Sequence, residues 1–222
     1  MSGAISEKAL CAATAAYFSS QSYFVRRDFE IPGLRRTDIV CIMPRLSDLK
    51  KRVKCKYFVS PAVLHILIDR GWMSTEEIVE ETGFDLNFVN SVLEESWEDG
   101  WVSKKEENGK AYWINREYRV PSKDCVMAHC RYRTCMEFLE ALGDYEGCYN
   151  KIYVVFPFPV DKEFIDLCAV KGVGILIFHE KVGYFKELLP PEVREVTNLK
   201  VYANLSEIII KENFLYRSIS SI

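Results

Sequence analysis

Residues 57–119 carry the local signals of a small self-contained domain, and they interrupt a pattern that belongs to something else. SPAVLHILIDRGW predicts a helix with Ser60 as N-cap and Pro61 at its first position. STEEIVEETGF predicts a second, because Ser74 and Glu77 stand at capping-box spacing and Gly83 closes it. DLNFVNSVLEESWEDG predicts a third, opened by Asp85 and closed by Gly100. WVSKKEENGKAYWI then reads as two short strands around Asn108-Gly109, a strong two-residue hairpin signal.

The flanking segments are each incomplete alone. Residues 5–19 suit a helix, YFVRRDFEI (23–31) a strand, Pro32-Gly33 a turn, and RRTDIVCIMP (35–44) a second strand. RLSDLKKRVKCKY follows as a basic connector that holds Arg45, Lys50, Lys51, Arg52, Lys54 and Lys56. From about 120 the chain alternates strand (CVMAHCRY), helix (RTCMEFLEALGDYEG), strand (KIYVVFPF), helix (VDKEFIDLCAVKG) and strand (VGILIFH). A last amphipathic helix is expected near 204–215. That alternation predicts an α/β sheet with helices packed on it. One helix and two strands before residue 57 are too few to enclose a core. Joined, residues 1–56 and 120–222 predict one discontinuous α/β domain, a mixed sheet flanked by helices, with 57–119 inserted into it.

A net charge of −3 over 222 residues leaves no general polyanion binder, so any nucleic-acid footprint has to be a local patch. The longest apolar runs, IYVVFPFPV and GVGILIF, are far below membrane-spanning length. The start, MSGAISEKALCAATAAYF, lacks a basic flank and reads as an amphipathic helix rather than a secretory signal. Eight cysteines without regular spacing predict reduced thiols in a cytoplasmic protein.

Residues 57–119 resemble a winged helix-turn-helix. The outer segments, in the order helix–strand–strand and then strand–helix–strand–helix–strand, resemble the restriction-endonuclease-like fold of the PD-(D/E)xK nuclease superfamily. The winged helix would then be inserted between the second and third core strands. Glu7 stands where such nucleases often carry a first-helix acid, and Asp38 in RRTDIVCI matches the aspartate that opens the second core strand. AHCRYRTCMEFLEALGDYEGCYNKIYVVFP resembles the strand with Glu-x-Lys, its following helix and the next strand, and VKGVGILIF the glycine-led strand after that.

In active members of that superfamily the Asp and Glu hold Mg²⁺ and the Lys helps activate water. The two strand residues lie two apart, so both side chains point to one face. Here those positions read His129 and Arg131. Magnesium takes hard oxygen ligands, for which imidazole is a poor replacement, and arginine stays protonated and cannot act as a base. The resemblance therefore implies the fold without its activity, and no cofactor, Mg²⁺ being needed only if the nuclease site still works. Arg131 could still fork onto phosphate, with His129, Arg35 and Arg36 contributing. The plainer alternative is an Asp38–Arg131 ion pair, or an Asp38–His129 hydrogen bond, filling an inherited cavity. Strand alternation in CVMAHCRYRTC puts Cys125 and His129 on one face and Cys130 on the other, and no CxxC pair supplies zinc spacing.

Two functions compete. As a nucleic-acid-associated protein (DNA sooner than RNA) in regulation, repair or defence, the chain would grip the backbone through Lys50, Lys51, Arg52 and Lys54. Wing residues Lys104, Lys105 and Lys110 would assist, with Asn87 and Asn90 facing base edges. Against this, residues 57–118 hold 5 basic and 13 acidic residues, and the third helix has no Lys or Arg at all. The acidic winged helix would then serve as a protein-interaction or homodimerisation module. Other features read as structural: Gly172 and Gly174 as a turn, His65 as core, His179 as a strand end, and Trp72, Trp97, Trp101 and Trp113 as core and wing contacts.

Overall fold

The computed structural model describes residues 5–30, 36–54 and 60–219, with the side chains of 53, 54 and 214–219 not described. The Pro32-Gly33 turn lies outside those residues. In chain order the elements are α1 (Glu7–Ser20), β1 (Phe24–Glu30), β2 (Arg36–Pro44), α2 (Leu46–Lys54), α3 (Pro61–Leu64), β3 (Met73–Ser74), α4 (Thr75–Thr82), α5 (Leu86–Glu98) and β4 (Val102–Glu107). There follow β5 (Lys110–Asn115), β6 (Ser122–Cys130), α6 (Met136–Ala141), β7 (Lys151–Phe156), α7 (Lys162–Val170), β8 (Gly174–His179), β9 (Tyr184–Leu189) and α8 (Leu199–Ile219).

The chain divides into two compact units, Met1–Pro44 with Ser122–Val201, and Arg45–Pro121 with Tyr202–Ile222. The sequence reading set its boundaries at 56/57 and 119/120 and kept the C-terminal residues in the outer domain. The difference lies in α2 and α8. The basic connector is a helix, and its Arg52 makes a buried ion pair with Glu207 of α8 inside the second unit.

The first unit is a mixed α/β structure whose described strands form a six-stranded sheet in the order β1-β2-β6-β7-β8-β9. β1, β2 and β6 pair antiparallel, and β6, β7 and β8 run parallel. Parallel neighbours need crossovers, which α6 and α7 supply. β9, absent from the sequence reading, adds an antiparallel edge. Its Lys186 and Glu187 are exposed, which blunts that edge against further pairing. Leu10 and Phe18 of α1 pack with Ile39, Cys41, Val126, Ala128 and Cys130 on one face of the sheet. By alternation Val40, Met127 and His129 point to the other face. There Phe138 and Tyr145 meet the His129 ring, and Phe164 of α7 meets Phe156. Helices on both faces explain why CVMAHC is buried throughout and shows no polar alternation.

In the second unit the capping box forms as its spacing predicts. The Ser74 hydroxyl accepts from the Glu77 N–H, and the Glu77 carboxylate accepts from the Ser74 N–H. Gly83 closes α4 at φ 69°, where a Cβ would be strained. Asp85 caps α5, and Asn108 and Gly109 take φ 52° and 74°, the signature of a type I′ turn between β4 and β5. The first helix is shorter than expected. α3 gives way to a 3-10 turn at His65–Leu67, and the Ser60 side chain caps no N–H. Val63, Leu67, Ile78, Val89, Leu93, Trp101 and Trp113 form the core, and the Trp113 indole donates to the Thr75 hydroxyl at 2.9 Å.

Candidate functional site

Asp38 lies at the start of β2 and His129 next to the end of β6. The β2–β6 register, Ile39 opposite Ala128, brings the two side by side. The Asp38 carboxylate accepts from Arg131 Nη1 at 2.7 Å and from the Cys130 N–H at 2.9 Å. Arg131 follows the last residue of the strand. Its N–H donates to the Val155 carbonyl, its Nη1 also donates to the Cys130 carbonyl at 2.7 Å, and its guanidinium lies 4.0 Å over the Phe138 ring. The pair is therefore neutral, stacked and tied to the backbone on both sides.

His129 is 1% exposed. Its Nδ1 is 3.9 Å from the Asp38 carboxylate, too far for a hydrogen bond, and both ring nitrogens lack a partner among the described residues. Burial, and then the Arg131 charge, lower its pKa to about 3, so the ring is neutral at physiological pH. Of the four positions expected to converge, Asp38, His129 and Arg131 do so, and the hydrogen-bonded form is the ion pair. Glu7 is exposed in the first turn of α1 and makes no ion pair with the other three.

One neutralised carboxylate, a neutral imidazole and a committed guanidinium do not make a divalent-cation site, which asks for several oxygen ligands. No group of three His, Cys, Asp or Glu among the described residues is placed to hold a metal. The seven described cysteines are free, and burial pushes the Cys125 thiol well above its ordinary pKa, away from a metal-binding thiolate.

The basic residues expected on nucleic acid are mostly engaged by neighbouring acids. Lys51 donates to Glu117 at 2.5 Å and sits 4.0 Å over Trp101. Arg52 is 3% exposed and donates to both Glu207 oxygens and to the carbonyls of Asp48 and Arg119. This corrects the expectation for Arg52, because a buried guanidinium bonded at all three nitrogens cannot reach a phosphate. Lys104 pairs with Glu94 at 2.8 Å and Glu106 at 3.4 Å, Lys105 with Glu107 at 3.0 Å, and Lys110 with Glu76 at 3.7 Å. Arg36 pairs with Asp28 at 3.0 Å. Lys50 is exposed on α2, Asn87 is exposed on α5, and Asn90 is half-buried. Arg35 and the Lys54 side chain lie outside what is described.

Two of the four tryptophans are not core. Trp101 and Trp113 are buried, but Trp72 and Trp97 are 42% and 49% exposed, as is Leu86 at 47%. Helical spacing could have revealed Trp97, since Val89, Val92, Leu93 and Ser96 already fill the buried stripe of α5. No local signal marks Glu207 as the partner of Arg52, 155 residues away.

No protein-family model and no curated protein matches this chain. A crystal structure described as a possible transcriptional regulatory protein (fragment 1–100) from Mycobacterium bovis is similar over 32% of this chain and 76% of that one. The identity is 25% and the TM-score 0.26, a score at which the likeness carries no argument. No helix among the described residues is long and apolar enough to cross a membrane.

Proposed function

We propose that this is a restriction-endonuclease-like protein without metal-dependent hydrolysis, acting by binding, and that its winged-helix module meets a protein surface rather than the phosphate backbone. The strand order supports the fold reading. An antiparallel β1-β2-β6 sheet leads through a crossover helix to parallel β7, with Asp38 and residues 129–131 at one end of it. The observation that carries the functional reading is the 2.7 Å Arg131–Asp38 pair, which stands where the resemblance would put a metal and its ligands.

Incubation with Mg²⁺ or Mn²⁺ and labelled duplex DNA, single-stranded DNA and RNA is expected to give no cleavage. Metal-dependent cleavage that Asp38→Ala abolishes would falsify the proposal. The double substitution His129→Glu with Arg131→Lys supplies the missing oxygen ligand and removes the guanidinium from Asp38. Calorimetry is expected to detect Mg²⁺ binding to that variant and none to the wild type.

Nucleic acid is the second reading, favoured by Asn87 on the exposed side of α5. Phosphate neutralisation supplies most non-specific affinity, and the wing lysines are already neutralised. A gel shift at low salt is accordingly expected to show no retention of duplex DNA.

A further inference from the structure

We infer that the flank of α5 facing β4 is a docking surface for a lysine- or arginine-rich amphipathic helix of a partner protein, an assignment that rests on the protein-binding reading above. Leu86 and Trp97 are separated by eleven residues, about three turns, so they stand on the same flank roughly 16 Å apart. Both are about half exposed, at 47% and 49%. Asn90 and Glu94 lie between them on that stripe, Glu98 is exposed next to Trp97, and the exposed Glu106 of β4 shares Lys104 with Glu94. Trp97 adjoins the hairpin, with Lys104 Nζ 5.7 Å from its ring. That lysine pairs with Glu94 at 2.8 Å and with Glu106 at 3.4 Å, so two carboxylates share one cation and, with Glu98, leave the field negative.

The chemistry selects the occupant. Two apolar anchors three turns apart match the spacing at which a helix presents its own apolar stripe, and an exposed tryptophan is the residue type that most often anchors an interface. The flanking carboxylates require cations on the incoming helix. A second copy of this chain fits badly. A two-fold contact would set Glu98 and Glu106 against the same carboxylates, with no Lys or Arg on α5 to relieve them. Nucleic acid is repelled for the same reason. Phe88 is not part of this surface, since it lies on the other flank, 5.2 Å from Phe84.

The test uses the full chain and two labelled synthetic helices of about 18 residues, one leucine–lysine and one leucine–glutamate, long enough to span both anchors. Fluorescence anisotropy is expected to show the leucine–lysine helix binding at least about tenfold more tightly. Trp97→Ala, and separately Glu98→Lys with Glu106→Lys, are each expected to weaken it about tenfold or more, with circular dichroism unchanged. Trp72→Ala is expected to have no effect, because its ring lies near Lys105, on the opposite pleat of the hairpin from Lys104. Equal binding of both helices, or of neither, overturns the inference. Preferential leucine–lysine binding that ignores Trp97, Glu98 and Glu106 overturns this surface while leaving the protein-binding reading intact. Salt-sensitive retention of duplex DNA with no peptide binding overturns both.

Discussion

Glu207→Leu lowers the stability of the second unit by about 3–5 kcal/mol, because it leaves the Arg52 guanidinium charged and dry. Arg52 and Glu207 are 3% and 4% exposed, and the pair joins two helices from opposite ends of the chain. Arginine does not deprotonate in proteins, so the stranded charge has no escape. The reverse substitution is milder. In Arg52→Met the carboxylate can take up a proton, and burial already pushes the Glu207 pKa up against the opposing pull of Arg52. With Arg52 gone, the folded pKa of Glu207 rises further above its unfolded value. The variant then keeps its stability below the ordinary carboxylate pKa and loses it as pH rises towards the folded one. Arg52→Met is therefore expected to approach wild-type stability at pH 5 and fall away by pH 8. Replacing both residues, by Met and Leu, is expected to be near neutral or stabilising. Urea denaturation at the two pH values measures all of this. A loss below about 1 kcal/mol for Glu207→Leu would show that the pair is hydrated in solution.

The second large effect belongs to His129. Its folded pKa of about 3 lies below the ordinary 6.5, so between those values the unfolded chain binds a proton that the folded protein refuses. Stability is therefore full above pH 6.5 and falls with acidification, by up to about 1.4 kcal/mol per pH unit from this group alone. His129→Leu removes that slope, and the variant should gain on the wild type by roughly 2 kcal/mol between pH 7 and pH 5. At pH 7 the variant is also expected to be the more stable one, by about 1–3 kcal/mol, since it deletes two ring nitrogens that are buried without a partner. Parallel pH profiles, with the variant less stable throughout, would mean that the imidazole is hydrogen-bonded in the folded state and takes up a proton there as readily as in the unfolded chain.

These two residues also mark the limit of what was legible in the chain. The capping box at Ser74 and Glu77, the Asp85 cap and the Asn108-Gly109 turn involve groups no more than a few residues apart, so residue types at fixed spacing specify them. The alternation after residue 120 likewise predicts β6, β7 and β8 and their crossovers. The helix of the basic connector went unseen because its lysines and arginines masked the apolar spacing of Leu46, Leu49 and Val53. β9 went unseen because an edge strand keeps its polar residues and needs only one neighbour.

At the candidate site, strand alternation alone put His129 and Arg131 on one face and separated Cys125 from Cys130, and the resemblance joined Asp38 to them. An Asp38–Arg131 ion pair and an Asp38–His129 hydrogen bond stood as alternatives, and alternation could not choose between them or say that Phe138 and Tyr145 would seal the imidazole away from water. The count of acidic residues in 57–118 was plain in the sequence. That each lysine of the β4–β5 hairpin is paired with a glutamate, while Trp97 is half exposed, was not. Local backbone chemistry and periodicity are properties of neighbouring residues, and the sequence by itself determines them. Charge pairing, burial and exposure depend on which distant segments meet, as with Arg52 and Glu207, and only the tertiary structure decided those.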